Sequence, residues 1–245
     1  MALVAGVDGC RGGWIAALRD GGASDWTWEF VPAIADLFDR RPAPRIVAID
    51  MPIGFADVAE PGGRACEREA RAILGRPRSS SVFATPARAT LAATDYRDAL
   101  RINRTTGPAA PGLSLQAWHL VPKLRELDGL LRGHPTRRRR VFEAHPELAF
   151  ARLNDGVGVA LPKRRIAGRV ARLELLARAG FGDVPKRWEE TRRDRGWRAT
   201  IVAADDAIDA LVLTITATRI AAGEAIALPP TPPRDRHGLP MAIRY

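Results

Sequence analysis

Two short apolar segments that each end in an aspartate constrain this chain most. Residues 3–8 read Leu-Val-Ala-Gly-Val-Asp, and residues 45–50 read Arg-Ile-Val-Ala-Ile-Asp. Apolar and β-branched residues with Gly or Pro close behind are typical of buried strands. If the two strands are neighbours, Asp8 and Asp50 lie at one edge of a sheet, where their repulsion costs stability. A divalent cation would offset that repulsion, so the two segments predict a metal site.

The residues between these segments predict an antiparallel meander followed by a crossover. Short loops separate the first strand from two further strands, at 14–18 and 26–31, with a turn at 20–23. A helix at 33–40 comes next. A right-handed connection then returns the second aspartate-ending segment to a position beside the first strand.

Residues 56–136 interrupt this pattern and predict a helical insertion that covers one rim of the sheet. A helix is expected at 64–74, where Gly75 ends it. A longer amphipathic helix at 114–131 contains Pro122, which predicts a kink or a restart.

After the insertion the chain returns to the sheet. Segment 141–147 predicts a fifth strand that carries Glu143, and segment 204–220 predicts the clearest helix of the chain. Together these elements predict one α/β domain over residues 1–245. Its core is a mixed five-stranded sheet flanked by helices, with the helical insertion after the fourth strand.

The last predicted helix brings further carboxylates to the site. Asp206 and Asp209 are three residues apart, so both project from one helix face, with Cβ atoms about 5–6 Å apart. Asp205 is favoured as the N-cap. Glu143 and His145 are two residues apart in the fifth strand and therefore point to one face. His145 suits a general base or a phosphate contact.

Carboxylate oxygens in such a set are the ligands that Mg²⁺ and Mn²⁺ prefer. Two such ions about 3.5–4 Å apart activate a water molecule and stabilise the leaving oxygen in phosphodiester hydrolysis. Without metal, crowding should raise the pKa of at least one carboxylate. The predicted metal ligands are Asp8, Asp50, Asp206 and Asp209, and the predicted catalytic residues are these four with Glu143 and His145.

The charge balance favours a polyanionic partner. The chain has 38 basic and 28 acidic residues, a net charge of +10, which attracts the phosphates of nucleic acid. An arginine-rich composition also follows from a GC-rich genome, so charge alone does not distinguish the two explanations. The candidate substrate contacts lie in the first loop and in the insertion: Arg11, Arg78, Ser80, Ser81, Gln116 and Lys123.

Cysteine usage and hydropathy indicate the compartment. Cys10 and Cys66 form neither a disulfide framework nor a zinc motif, so a reducing cytoplasm is expected. No apolar segment is long enough to cross a bilayer, and Asp8 and Arg11 come too early for a signal peptide. A membrane partner is therefore not expected, whereas a homodimer is compatible with the sequence.

The order of elements and several short motifs resemble known families. The meander, the strand ending in an acid and the last helix with Asp-x-x-Asp resemble the ribonuclease H-like superfamily, and the last helix resembles that of its Holliday-junction resolvases. The chain is more closely similar to the domain of unknown function 429 family, described as predicted nucleases. The matching motifs are VDGCRGGW (7–14), IDMPIG (49–54), SSVF (80–83) with TP (85–86), LS (113–114) with Gln116 and Trp118, PK (122–123), EAHPE (143–147), DAIDAL (206–211) and GLPM (238–241).

The resemblance implies a metal-dependent nuclease for DNA or RNA, with Asp8, Asp50 and the pair Asp206 and Asp209 as the metal site. Two alternatives remain open. Actin-like sugar kinases share the strand–turn–strand start and strand-end aspartates, which suggests an ATP-dependent phosphotransferase for a small molecule, although the chain is short for two such lobes. The other alternative is a non-catalytic nucleic-acid-binding domain that merely keeps the acids.

Overall fold

The computed structural model describes residues 2–20 and 25–245 and contains a five-stranded mixed sheet. Its strands are β1 (Leu3–Cys10), β2 (Gly13–Asp20), β3 (Trp26–Val31), β4 (Ile46–Ile49) and β5 (Val141–Glu143). The spatial order is β3-β2-β1-β4-β5. Strands β1 to β3 are antiparallel, whereas β4 and β5 run parallel to β1. This α/β arrangement confirms the predicted fold class and is consistent with a ribonuclease H-like sheet. The turn predicted at 20–23 falls largely outside the described residues.

Helices flank this sheet, and a two-stranded ribbon lies near the end of the chain. The helices are α1 (Asp36–Asp39), α2 (Ala65–Arg78), α3 (Tyr96–Thr105), α4 (Leu115–Gly133), α5 (Pro135–Arg138), α6 (Pro146–Leu153), α7 (Ile166–Arg178), α8 (Val184–Asp194) and α9 (Ala204–Ala222). The ribbon is formed by β6 (Ala227–Leu228) and β7 (Ile243–Arg244). Among the described residues, no helix combines the length and the apolar character that crossing a membrane requires.

The helices differ from the predicted ones near two prolines and agree with the prediction at Gly75. The helix predicted at 33–40 after Pro32 is a single turn, α1. Helix α4 is continuous through Pro122, so the helix does not restart there, and Val121 and Leu124 beside the proline are buried. Gly75 does interrupt α2 as predicted, with φ of 55° and ψ of −169°.

The fifth strand is shorter than predicted. It ends at Glu143 because Pro146 occupies the first turn of α6 and His145 caps that helix. The Nδ1 atom of His145 accepts a hydrogen bond from the backbone N–H of Glu147 at 3.2 Å. Glu143 and His145 therefore do not share a strand face, and the alternation argument that placed them together is wrong.

The sheet has an apolar layer on each face. Val4 and Ala48 belong to the layer under α9, and Val7 and Ile49 belong to the layer under α4. Helix α4 lies in segment 56–136, so part of the predicted rim insertion covers a face of the sheet. Helix α9 lies very close to β1, since a Cβ on Gly6 would be 2.1 Å from the carbonyl oxygen of Ala210.

Three buried arginines hold together the helices and loops around the sheet, and one of them, Arg64, also pairs with a residue of β5. Each has a side chain at most 4% exposed and is paired with buried carboxylates. The groups are Arg64 with Glu67 and Glu143, Arg88 with Asp128 and Asp235, and Arg172 with Glu147. Buried charges of this kind are stable only when they are fully paired.

Candidate active site

Asp8 and Asp50 are neighbours at one end of the sheet. Strands β1 and β4 pair in parallel with Val7 opposite Ile49, and the backbone N–H of Asp50 donates to the carbonyl oxygen of Val7 at 2.9 Å. Each aspartate directly follows one member of that residue pair. The structure therefore brings the two strand-end acids together, as the sequence predicts.

The start of α9 places Asp206 and Asp209 beside them. Gly6 and Asp8 alternate onto the face that α9 covers, and Gly6 lies against Ala210. Two strand residues advance about 6.6 Å and one helical turn about 5.4 Å, so Asp8 lies opposite the turn that precedes Ala210. That turn carries Asp206 and Asp209. Asp205, predicted as the N-cap, instead pairs with Arg169 at 3.4 Å.

The four aspartates line one cavity of about 330 Å³. Three other predicted site residues, Ser81, Gln116 and His145, also line it. The remaining lining residues are Gly9, Met51, Phe83, Leu120, Pro146, Glu147 and Lys163. The cavity thus combines carboxylates from three elements with residues from the insertion.

Burial and mutual repulsion raise the pKa of these carboxylates. Burial raises the pKa of Asp8 well above its ordinary value, and the charges of the other three raise it further. Burial also raises the pKa of Asp50 and Asp206, and it raises that of Asp209 to about 6. The positive charge of Lys163 opposes every one of these shifts. The cavity therefore concentrates negative charge that a cation would stabilise.

Lys163 is a cavity residue that the sequence reasoning missed. Its Nζ donates a hydrogen bond to Asp209 Oδ2 and forms an ion pair with that carboxylate. Burial lowers its pKa, but Asp209, Asp8 and Asp50 raise it more strongly, so the net shift is upward. The available signal was the basic triplet at 163–165, which has no helical or strand period to indicate where it points.

Glu147 is a second missed residue of the cavity. Its two carboxylate oxygens accept hydrogen bonds from Nη2 of Arg172, at 2.6 and 2.8 Å. Its charge raises the pKa of Asp50 and Asp209. Glu147 was placed in the predicted fifth strand, whereas it belongs to the first turn of α6. Glu147 is therefore a charged residue of the wall that is held in place by Arg172.

The structure does not bring Glu143 to this cavity. Its carboxylate accepts hydrogen bonds from Nη1 and Nη2 of Arg64 and from the backbone N–H of Ile53, the last at 2.7 Å. Burial raises its pKa to about 7, although Arg64 opposes that shift. Glu143 thus anchors the loop after β4 to α2, and the predicted catalytic role gains no support from its position.

His145 lines the cavity but is oriented by the backbone. Because Nδ1 accepts the N–H of Glu147, the proton of a neutral ring resides on Nε2. Nε2 lies 3.4 Å from the carbonyl oxygen of Ser81. The ring therefore caps α6 and steadies the Ser81 segment, and Nε2–H would have to leave the Ser81 carbonyl oxygen to donate to a bound phosphate.

The other predicted substrate contacts lie at different distances from the acids. Lys123 borders the cavity: its Nζ donates to the carbonyl oxygen of Gly13 and lies 4.5 Å from the Trp14 ring centroid. Arg11 is exposed in the turn after β1. Neither Arg78 nor Ser80 lines the cavity. The Ser80 hydroxyl donates to the carbonyl oxygen of Pro77 at 3.4 Å.

The donor set fits Mg²⁺ or Mn²⁺ in its chemistry. The four aspartates supply hard oxygens, and among the described residues no hydrogen-bond donor contacts the carboxylate of Asp50. Their side chains are not, however, already closed around an ion. Within residues 2–20 and 25–245, no three His, Cys, Asp or Glu side chains are arranged to hold a metal. Coordination would require side-chain rotation and the release of Asp209 from Lys163.

Comparison with known proteins identifies a family but no individual relative. A family model described as "Protein of unknown function (DUF429)" matches residues 6–234, which is nearly the whole chain. No curated protein and no solved structure matches the chain. The match includes all four aspartates of the cavity, and it extends past α9.

Proposed function

The chain belongs to DUF429, a family of proteins of unknown function, so we propose a function from the site itself. We propose a nuclease that hydrolyses phosphodiester bonds of DNA or RNA with Mg²⁺ or Mn²⁺. The observation that supports this most is the convergence of four carboxylates, from β1, β4 and α9, on one cavity. Folding alone does not require such a set, since like charges held close cost stability.

The chain's own residues would perform three tasks in this reaction. The carboxylates of Asp8, Asp50, Asp206 and Asp209 would hold the ions. When bound, such ions lower the pKa of a water molecule and stabilise the leaving oxygen of a phosphodiester. Nε2–H of His145 would donate to a phosphate oxygen in place of the Ser81 carbonyl oxygen. The apolar side chains in the wall, from Met51, Phe83 and Leu120, limit the water around the reacting group.

The distribution of positive charge supports a polynucleotide substrate. Lys163 lines the cavity, and Arg164 and Arg165 follow it as exposed residues. Arg11 is exposed in the turn after β1. The net charge of +10 adds a long-range attraction for phosphate.

The two cysteines are free and buried, and on that basis we propose that the reaction takes place in the cytoplasm.

Incubation with nucleic acids tests this proposal directly. Branched DNA, single-stranded DNA and RNA are offered to the purified protein with Mn²⁺, with Mg²⁺ or with EDTA. Cleavage of at least one substrate is expected with Mn²⁺, and none with EDTA, because the water is activated only by a bound ion. Gel electrophoresis of end-labelled substrates measures the rate.

Two adjacent aspartates of α9 provide a matched control. Asp206→Asn removes a cavity carboxylate and should abolish most of the cleavage. Asp205→Asn removes an equal charge from a residue that pairs with Arg169 outside the cavity, and it should leave cleavage unchanged. Equal activity in the two variants, or cleavage that survives EDTA, would rule out the proposed metal mechanism.

A further inference from the structure

Lys163 brings an ammonium group into the cavity that the four aspartates line, which we call the acid cavity. The ammonium is paired with Asp209, whose side chain is 6% exposed, whereas the Lys163 side chain is 43% exposed. Lys163 reaches the cavity from residues 154–165, the segment that connects α6 to α7. One partner of the ion pair is therefore a buried residue of α9, and the other lies on a surface connection with access to water.

This ion pair differs from the other pairs of buried carboxylates. Arg64, Arg88 and Arg172 each donate through at least two guanidinium nitrogens and are at most 4% exposed. Lys163 makes a single ammonium–carboxylate contact. An ammonium is a compact, strongly hydrated point charge on a flexible stem, whereas a guanidinium is a fixed fork. The Lys163 contact is thus the one suited to exchange.

The choice of lysine is itself unusual in this chain. Only three of its 38 basic residues are lysines, namely Lys123, Lys163 and Lys186. Two of the three, Lys123 and Lys163, lie beside the acids at the end of β1. Elsewhere in the described residues, arginine supplies the cation of each ion pair, as in those of Arg64, Arg88 and Arg172. The positions next to the acids therefore hold the cation type that leaves a carboxylate more readily.

We infer that Lys163 is a built-in counter-ion of the acid cavity, which a divalent cation displaces from Asp209. This inference rests on the proposed metal-dependent function. A divalent ion takes oxygens from several carboxylates at once, whereas the ammonium neutralises chiefly one. Exchange releases Lys163 to water at the rim of the cavity. Metal binding is thereby coupled to the position of segment 154–165.

Metal affinity tests the displacement. Calorimetric titration with Mn²⁺ compares the wild type with Lys163→Met and with Arg164→Met. Each variant loses one positive charge, at adjacent positions, so the long-range effect on metal affinity is matched. Lys163→Met is expected to bind Mn²⁺ roughly tenfold more tightly or better, because the ion no longer competes with a charged hydrogen bond. Arg164→Met, at an exposed residue, should stay close to wild type.

Amine labelling of the wild type gives a second readout that needs no variant. An amine-reactive reagent followed by mass spectrometry reports on all three lysines separately. Lys163 is expected to react more slowly than exposed Lys186 without metal, and several times faster once Mn²⁺ is saturating. Lys186 lies on α8, outside the cavity, and serves as the internal control.

The outcomes separate this inference from the proposed function. If the wild type binds Mn²⁺ but Lys163→Met binds no more tightly than Arg164→Met, the counter-ion role is wrong and the metal site stands. Unchanged Lys163 labelling at saturating Mn²⁺ would also overturn it. If neither the wild type nor Lys163→Met binds Mn²⁺, the proposed metal-dependent function is wrong, and the counter-ion role of Lys163 is wrong with it.

Discussion

Asp8→Asn is expected to lower Mn²⁺-dependent cleavage at least about a hundredfold. Even the outer hydrogen-bond partners of metal ligands cost about 10- to 100-fold in affinity or activity when they are removed, and Asp8 is proposed as a direct ligand. The amide is the same size and can still accept the backbone N–H of Gly9, which lies 2.6 Å from Asp8 Oδ1. The lost activity would therefore report the lost charge. Initial rates at saturating Mn²⁺ measure it.

The same substitution should stabilise the metal-free protein. Burial and three neighbouring carboxylates make an ionised Asp8 unfavourable in the fold, so the neutral amide should raise the melting temperature. If Asp8 had a purely structural role, the substitution would instead lower the melting temperature. Added Mn²⁺ should raise the melting temperature of the wild type and have little effect on the variant. Activity close to wild type, or a variant that melts lower without metal, would contradict this account of Asp8.

The pH dependence of stability follows from the same charges. The pKa of Asp209 is raised from 3.8 to about 6, so the folded state binds that proton more tightly than the unfolded chain does. Without metal, the contribution of this group to stability is therefore present at low pH and is lost as the pH rises through this interval. Bound Mn²⁺ should reverse the trend, because it competes with protons for the same oxygens.

Arg64→Met is expected to lower the free energy of unfolding by about 3–5 kcal/mol, the largest loss of stability that we predict. Arg64 is buried and donates to Glu67, Glu143 and two backbone carbonyl oxygens, those of Ile53 and Gly54. Its removal leaves two buried carboxylates without their cation. The connection between the loop after β4, α2 and β5 would be lost with it. Denaturant unfolding followed by circular dichroism measures the change.

An exposed ion pair provides the control for this experiment. Arg101 pairs with Asp98 on the surface of α3, and its side chain is 66% exposed. Arg101→Met should therefore leave the unfolding midpoint almost unchanged, because solvent screens such pairs. Comparable losses in the two variants would show that burial does not set the strength of the Arg64 network.

The parts of the site that could be predicted are those with a strong local pattern. A short apolar run ending in aspartate predicts a strand end, and the two runs at 3–8 and 45–50 are indeed adjacent in the sheet. The three-residue spacing of Asp206 and Asp209 predicts a shared helix face. Their position beside Asp8 then follows from the close packing of α9 on β1, which Gly6 permits.

The parts that could not be predicted depend on where irregular segments point. Lys163 lies between α6 and α7, where the sequence has no period that specifies the direction of a side chain. Glu143 was expected in the site because a strand was extended across Pro146. The proline begins a helix instead, so Glu147 lines the cavity while Glu143 pairs with Arg64. Pro146 was a local signal that the strand ends, but the pairing of Glu143 with Arg64 and of Lys163 with Asp209 has no local signature in the sequence.

Crystals grown with Mn²⁺, with diffraction recorded at the manganese absorption edge, test the central claim most directly. That claim is that the four aspartates bind divalent ions together. We expect an anomalous peak in the 330 Å³ cavity, in contact with oxygens of Asp8 and of at least one other of these aspartates. A cavity without a manganese peak at saturating Mn²⁺, with Asp209 still paired to Lys163, would contradict it.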